Sequence, residues 1–298
     1  MVRERTVQLI SAEVGEGAGD GGCKWGAAAL RGQGLADRLR LLGRQVVEGP
    51  GVACDPVSAR NRLDAVETFT EQLAAVVAQA MAAGRQPLVV GGDHSCAVGT
   101  WSGVAQALRP RGALGLVWVD AHLDAHTPQT SDSHAPHGMP LAALLGHGSP
   151  RLARVFGWAG KVAPHHAVVI GARSYEPAEA VLLDQLGVRV IYMHEVQARG
   201  FEACFDEART LVRAATAGWG VSFDVDGLDP QDAPGTGTPV EAGIRLRDAL
   251  AALAACQGDE RFVAFELAEY NPLRDFGGRT AQAAIALVGA ALAGGPAR

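Results

Sequence analysis

Short apolar segments alternate with longer amphipathic segments along the chain, and this alternation restricts the possible fold more than any other feature. The short segments are rich in β-branched and aliphatic residues and predict strands at 7–10, 87–90, 114–119, 167–170, 188–192, 221–223 and 262–267. The longer segments predict helices at 65–83, 96–108, 178–186, 201–215, 247–255 and 280–292. Strands that alternate with helices are joined by crossover connections, which cover both faces of a parallel sheet. We therefore predict a three-layer α/β/α fold with a mainly parallel central sheet.

The composition favours one well-packed unit. Hydrophobic residues make up 48% of the 298 residues, which is enough for a sizeable core, and no linker-like or repetitive segment divides the chain. We therefore expect a single domain over residues 1–298. The net charge of −6 favours neither a nucleic-acid-binding surface nor binding to an anionic membrane.

The sequence predicts a cytoplasmic protein. Acidic residues at positions 13, 16 and 20 interrupt the apolar stretch that a signal peptide would need after the charged first five residues. No apolar run approaches the roughly 20 residues of a membrane span. The five cysteines are widely spaced and include no CxxC pair, which is typical of free thiols.

Three segments place metal-binding side chains directly after an apolar strand. They are residues 88–95 (LVVGGDHS), 118–124 (WVDAHLD) and 221–230 (VSFDVDGLDP). Residues two apart in an extended chain point to the same side, so we expect the acidic and histidine side chains of each segment to converge. The carboxyl ends of parallel strands lie at one edge of a sheet, where ligands bind.

The candidate metal ligands are four carboxylates and two imidazoles: His94, Asp120, His122, Asp124, Asp224 and Asp226. Four clustered carboxylates without a cation would repel one another and lose their charge. Six ligands are too many for one catalytic zinc ion but suit two divalent ions. Because the set is rich in oxygen, it favours Mn²⁺ over zinc or copper. We therefore predict two Mn²⁺ ions per subunit.

These motifs resemble those of the arginase/agmatinase (ureohydrolase) family, arginase branch. The resemblance extends to residues 137–140 (HGMP), 236–239 (TGTP) and 269–272 (EYNP), in the same order along the chain. It implies a ureohydrolase catalytic domain, a binuclear manganese centre and hydrolysis of a guanidino group to urea by metal-bridged hydroxide attack. It also implies a small guanidino substrate and a homo-oligomer, either a trimer or a hexamer.

The resemblance also implies roles for the catalytic residues. Asp124 would assist the bridging hydroxide, His137 would shuttle a proton, and Glu269 would pair with the guanidinium group. A delocalised guanidinium carbon is a poor electrophile, so its hydrolysis needs an activated water and a proton for the leaving amine.

The residues that the resemblance places around the substrate are His126, Ser131, Ser133, Glu176, Glu179, Thr238 and Glu269. Three positions differ from the usual arginase pattern: His126 and Ala135 replace asparagines, and Glu176 replaces an aspartate. Before Pro177, Glu176 is also an ordinary acidic residue at a helix start. We predict hydrolysis of L-arginine to L-ornithine and urea, with agmatine, guanidinobutyrate or N-hydroxyarginine as alternative substrates.

Other functions fit the sequence less well. A two-metal phosphoesterase is disfavoured because Glu269 would repel a phosphate, and a non-catalytic partner subunit would not need the complete ligand set. Residues 17–22 (GAGDGG) match the GxGxxG pattern, but Asp20 would repel a pyrophosphate, so we expect a loop near the site instead. The pair His165-His166 precedes a predicted strand and is expected at the surface.

Overall fold

A computed structural model describes residues 5–293 of the chain. Residues 1–4, which belong to the charged N-terminal stretch considered for a signal peptide, lie outside this range. Its strands are β1 (Val7–Glu13), β2 (Val46–Ala53), β3 (Gln86–Val90), β4 (Ala113–Val119), β5 (Val162–Ile170), β6 (Arg189–Ile191), β7 (Thr216–Asp224) and β8 (Phe262–Ala268). They form one sheet in the order β2-β1-β3-β8-β7-β4-β5-β6, and each neighbouring pair is parallel. The predicted parallel sheet is confirmed.

The α-helices within residues 5–293 are α1 (Gly26–Gly32), α2 (Leu35–Leu41), α3 (Arg62–Ala82), α4 (Cys96–Leu108), α5 (Pro140–Leu144), α6 (Pro150–Ala153), α7 (Pro177–Leu186), α8 (Met193–Arg199), α9 (Phe201–Arg213), α10 (Leu246–Leu253) and α11 (Arg279–Leu292). All six predicted helices are present, with small shifts at their ends. The additional ones are short and have too few turns for a clear periodic pattern. No helix in the described part of the chain is long and apolar enough to cross a bilayer.

Helices cover both faces of the sheet, which confirms the three-layer fold. Helices α1, α2 and α8–α11 pack on one face, and α3–α7 pack on the other. Successive residues of a strand pack into the cores on opposite faces of the sheet. In β4, Val117 and Val119 belong to the first core, while Leu116 and Trp118 belong to the second.

Strand β2 was not predicted from the sequence. It contains Gly49, Pro50 and Gly51, a combination that normally indicates a turn. The strand lies at the edge of the sheet and pairs only with β1. Proline is tolerated in an edge strand, because its missing N–H can face solvent and no hydrogen bond between strands is lost.

The tandem histidines lie within β5 rather than before it. His165 is exposed as expected, but the surface prediction is wrong for His166, which is buried. Successive residues of a strand point to opposite faces of the sheet, so two adjacent histidines cannot share one environment.

The central strands converge on one edge of the sheet. The order β3-β8-β7-β4 brings their carboxyl ends together, and these ends lead to His94, Glu269, Asp224 and Asp120. In the sheet, β8 and β7 lie between β3 and β4, although they come later in the chain. In open α/β sheets, ligands bind in a crevice outside the carboxyl ends of the strands, where the strand order changes in this way. The topology therefore gathers the predicted site residues at one place.

Candidate metal centre and adjoining pocket

His94 lies at the centre of a buried group of carboxylates. Its Nδ1 atom is 3.2 Å from Asp120 Oδ2, 3.0 Å from Asp124 Oδ2 and 3.1 Å from Asp224 Oδ2. Nδ1 is fully buried and makes no hydrogen bond of acceptable geometry with any of them. A ring nitrogen without a hydrogen-bonding partner, surrounded by three carboxylate oxygens, fits a divalent cation between them.

A second group adjoins the first and shares Asp120 with it. His122 Nδ1 lies 3.4 Å from Asp120 Oδ1 and 3.3 Å from Asp226 Oδ2. Asp120 thus directs one oxygen towards His94 and the other towards His122. The six predicted ligands therefore form two connected groups, each able to hold a metal ion.

Turns, rather than extended backbone, bring these side chains together. Asp120 lies just after β4 and accepts a hydrogen bond from the His122 N–H at 2.7 Å. Asp224 accepts one from the Asp226 N–H at 2.8 Å in the 3₁₀ turn Val225–Gly227. Asp124 has a left-handed backbone with φ +48°. The expected convergence occurs, but the two-residue alternation that we gave as its cause is wrong, because aspartates favour such turns.

The electrostatics of the centre indicate a need for positive charge. Burial raises the pKa of Asp124 to about 6, and the neighbouring Asp120 adds to the effect. Burial opposes the protonation of His94 and His122, yet the surrounding carboxylates outweigh it and raise both pKa values. Without a metal, protons therefore occupy the positions that a cation would take.

A buried hydrogen-bond chain orients His94. Its Nε2 atom lies 2.9 Å from Ser222 Oγ, and that hydroxyl donates to Glu266 Oε1 at 2.8 Å. Because the serine hydroxyl donates to Glu266, it accepts from His94 Nε2–H and leaves Nδ1 free for a metal. Neither Ser222 nor Glu266 was predicted to take part in the site. A glutamate within the apolar strand 262–268 was the available signal.

A pocket of about 230 Å³ opens beside this centre. Its lining includes every predicted site residue except His94 and Asp120, which are fully buried behind it. The predicted residues in the lining are His122, Asp124, His126, Ser131, Ser133, His137, Glu176, Glu179, Asp224, Asp226, Thr238 and Glu269. Ser174, Ala135 and Gly138 complete it. Metal-binding and substrate-binding candidates therefore share one cavity.

His137 and Glu269 form a hydrogen-bonded pair in this pocket. His137 Nδ1 lies 3.0 Å from Glu269 Oε1, which also accepts the backbone N–H of His94 at 2.9 Å. Burial opposes the protonation of His137, but the contact with Glu269 outweighs it and raises its pKa to about 9. The same contact lowers the pKa of Glu269 although burial opposes its ionisation. The pair therefore holds an imidazolium against a carboxylate at neutral pH.

A histidine and two glutamates lie together in the same pocket. His126 Nε2 is 3.0 Å from Glu176 Oε2 and 3.4 Å from Glu179 Oε2. Glu179 is buried, and burial raises its pKa to about 8. Glu176 is largely exposed and directly precedes helix α7, as expected for an acidic residue at a helix start, and its side chain also lines the pocket. The hydroxyls of Ser131 and Ser133 lie 3.4 Å apart in the same lining.

Comparison with known proteins identifies the family. The family model described as the arginase family matches residues 5–294. The chain is 36% identical to an arginase of Bacillus caldovelox, covering 96% of this chain and 97% of that protein, and 38% identical to one of Brevibacillus brevis, covering 95% and 96%. The crystal structure of a Bacillus subtilis arginase superposes with a TM-score of 0.92 at 34% identity, covering 99% of this chain and all of that one. The chain therefore belongs to the arginase family.

Proposed function

We propose that this protein hydrolyses L-arginine to L-ornithine and urea. The observation that carries the proposal is the His137–Glu269 pair, which lies in one pocket with two connected histidine–carboxylate groups. Membership of the arginase family supports the same reaction. Glu269 presents a buried negative charge, which disfavours a phosphate ester and favours a cation as the substrate.

The residues that would hold the metals are His94, Asp120, His122, Asp124, Asp224 and Asp226. We propose two Mn²⁺ ions, since four carboxylates and two imidazoles form an oxygen-rich donor set. When bound, two divalent cations lower the pKa of a water molecule towards neutrality and direct it at the guanidinium carbon. Asp120 would be shared between both ions, because its two oxygens face different histidines.

The remaining residues bind the guanidinium group and move the proton. Glu269 would pair with the guanidinium nitrogens, and its buried position strengthens that charge-assisted contact. His137 carries a proton at neutral pH and would donate it to the leaving amine. Asp124 faces the pocket beside His94, and its carboxylate would accept a proton from the attacking water.

The other end of the substrate would lie against residues 126–135 and the start of α7. The hydroxyls of Ser131 and Ser133 can donate to a carboxylate. Glu176 can accept from an ammonium group, and its exposed side chain can move to do so. A free amino acid with both groups therefore suits this end of the pocket.

A second candidate is hydrolysis of a related guanidino compound. His126 already contacts Glu176 and Glu179, so an α-ammonium group would compete with the imidazole. Ala135 offers no polar side chain to a carboxylate. The first feature favours a compound without the ammonium group, such as guanidinobutyrate, and the second favours one without the carboxylate, such as agmatine. N-hydroxyarginine carries both groups, as arginine does, and stays an alternative on its guanidino chemistry alone.

The test is urea release by the Mn²⁺-loaded protein from L-arginine, agmatine, guanidinobutyrate and N-hydroxyarginine. We expect the highest kcat/KM with L-arginine. Near-zero urea from L-arginine together with rapid release from another compound would show that the other compound is the substrate, while the proposed guanidino hydrolysis would still hold. Absence of urea from all four compounds, with both metals bound, would overturn the proposal.

We further propose one catalytic domain, a cytoplasmic location and assembly into a homo-oligomer. All five cysteines are free, which is consistent with a reducing compartment. Light scattering coupled to size-exclusion chromatography measures the mass in solution. A trimer or hexamer is expected, and a monomer at micromolar concentration would contradict the assembly.

A further inference from the structure

The glycine-rich segment 15–26 contacts both members of the His137–Glu269 pair, although it contains no residue of the proposed reaction. The carbonyl oxygen of Gly17 accepts the backbone N–H of His137 at 3.2 Å. The N–H of Gly17 donates to Asp93 Oδ2 at 2.8 Å. The GxGxxG pattern therefore marks a loop that packs against the pocket and is anchored through Asp93.

Cys23 contacts Glu269 from this segment. It lies in the 3₁₀ helix Gly21–Trp25, is fully buried, and places Sγ 3.2 Å from Glu269 Oε2. The other carboxylate oxygen, Oε1, accepts from His137 and from the His94 N–H. Each oxygen of Glu269 therefore has its own donor, and Cys23 supplies the one for Oε2.

Close packing keeps Cys23 in this position. A Cβ atom on Gly22 would lie 2.3 Å from Asn271 Oδ1, and one on Gly26 would lie 2.5 Å from Tyr270 O. Only glycine allows such close approach on both sides of Cys23. The 3₁₀ helix is thus seated directly on the residues that follow Glu269 in the chain.

We propose that Cys23 is a positioning residue, whose thiol donates a hydrogen bond to Glu269 Oε2 and fixes the orientation of that carboxylate towards the substrate's guanidinium group. The functional consequence rests on the proposed function, whereas the hydrogen bond itself does not. Without the thiol, Oε2 loses its donor, and the carboxylate is oriented by the contacts of Oε1 alone. The guanidinium group would then meet a less well-ordered partner.

The surroundings keep the thiol in its donating form. Burial raises the pKa of Cys23, and the negative charges of Glu269 and Asp93 add to the effect. An S–H group donates, whereas a thiolate would repel Glu269. Since the side chain is fully buried, it acts through Glu269 and does not itself reach the substrate.

The infrared S–H stretching band tests the hydrogen bond without any assay of activity. We compare the purified wild-type protein with C23S and C256A; Cys256 is a matched buried thiol outside the pocket. The band lost in C23S should lie at lower frequency than the band lost in C256A, because donation to a carboxylate weakens the S–H bond. In E269Q the Cys23 band should move to higher frequency. A Cys23 band at the frequency of the Cys256 band would overturn the proposal.

Kinetics test the positioning role in the Mn²⁺-loaded protein. C23A should raise KM for the preferred guanidino substrate about three- to tenfold, the size of one ordinary hydrogen bond because a thiol is a weak donor, with a smaller effect on kcat. C23S keeps a donor and should restore most of the wild-type KM, whereas C256A should leave KM unchanged. Wild-type KM in C23A would overturn the role. If the wild-type protein releases no urea from any guanidino compound, the proposed function fails, and the infrared comparison still decides the hydrogen bond.

Discussion

His137 Nδ1 lies 3.0 Å from Glu269 Oε1, so the imidazole presents its other ring nitrogen to the pocket while the carboxylate holds its orientation. Neither residue belongs to the two metal-binding groups. This separation allows the proton-transfer role to be tested apart from metal binding.

Replacing His137 with Asn should lower kcat about 10²- to 10⁴-fold, the usual contribution of a general acid, while the metal content stays unchanged. Turnover is measured by urea release, and metal content by elemental analysis of the dialysed protein. Loss of the metals in H137N would contradict the assigned role. The control is His165, an exposed histidine in the amino-terminal half of β5, since H165N should match the wild-type protein.

Replacing Asp226 with Ala should abolish urea release and metal binding together. Its carboxylate lies 3.3 Å from His122 Nδ1 and also accepts from Thr238 Oγ1 at 2.9 Å, so its loss removes a ligand and the anchor of a neighbouring side chain. The control is D248A, which removes an exposed carboxylate paired with Arg247. Full activity in D226A would contradict the binuclear centre.

Metal binding at neutral pH should release protons and strengthen as pH rises. The carboxylates raise the pKa values of His94 and His122, so both rings carry a proton when no metal is bound. A metal needs the Nδ1 lone pair and displaces that proton, and burial also raises the pKa of the ligand Asp224, so we expect at least two protons released per subunit. Calorimetric titration of the metal-free protein with Mn²⁺, in buffers of different ionisation enthalpy, gives this number. H122N should release about one proton fewer, and a heat independent of the buffer would refute the prediction.

Replacing His126 with Asn should improve the use of L-arginine relative to agmatine. The imidazole contacts both Glu176 and Glu179, and its removal frees these acceptors for the ammonium group of either substrate. The Asn amide can in addition donate to a carboxylate, which arginine carries and agmatine lacks. Since Glu176 is largely exposed, the change in the ratio of kcat/KM values should be modest, about three- to tenfold. An unchanged ratio across the two substrates would show that His126 does not set the preference.

Local patterns were sufficient to predict the strands that carry the site. The run 114–119 is apolar throughout because β4 is covered on both faces, and a continuous apolar run of this length is itself a strand signal. Asp120 directly follows β4, Asp124 lies four residues further along, and Asp224 is the last residue of β7. Their clustering could be predicted because the carboxyl ends of parallel strands share an edge.

Contacts between distant parts of the chain could not be predicted in the same way. Cys23 and Glu269 are 246 residues apart, and nothing near either residue indicates the contact. The link from His94 through Ser222 to Glu266 depends on the pairing of β7 with β8, which puts Ser222 directly opposite Glu266. The turn geometry at Asp124 was missed because a left-handed aspartate gives no periodic signal.

Asp124 and Glu269 both have left-handed backbones, with φ values of +48° and +64°. This conformation costs a non-glycine residue about 1–2 kcal/mol, and glycine adopts it freely. Glycine at either position would remove this backbone cost together with a carboxylate that its neighbours need. D124G would take an oxygen away from His94, and E269G would leave His137, Cys23 and the His94 N–H without their acceptor. Engineering for thermostability has to hold these two positions fixed, because the unusual backbone there orients carboxylates that the rest of the site depends on.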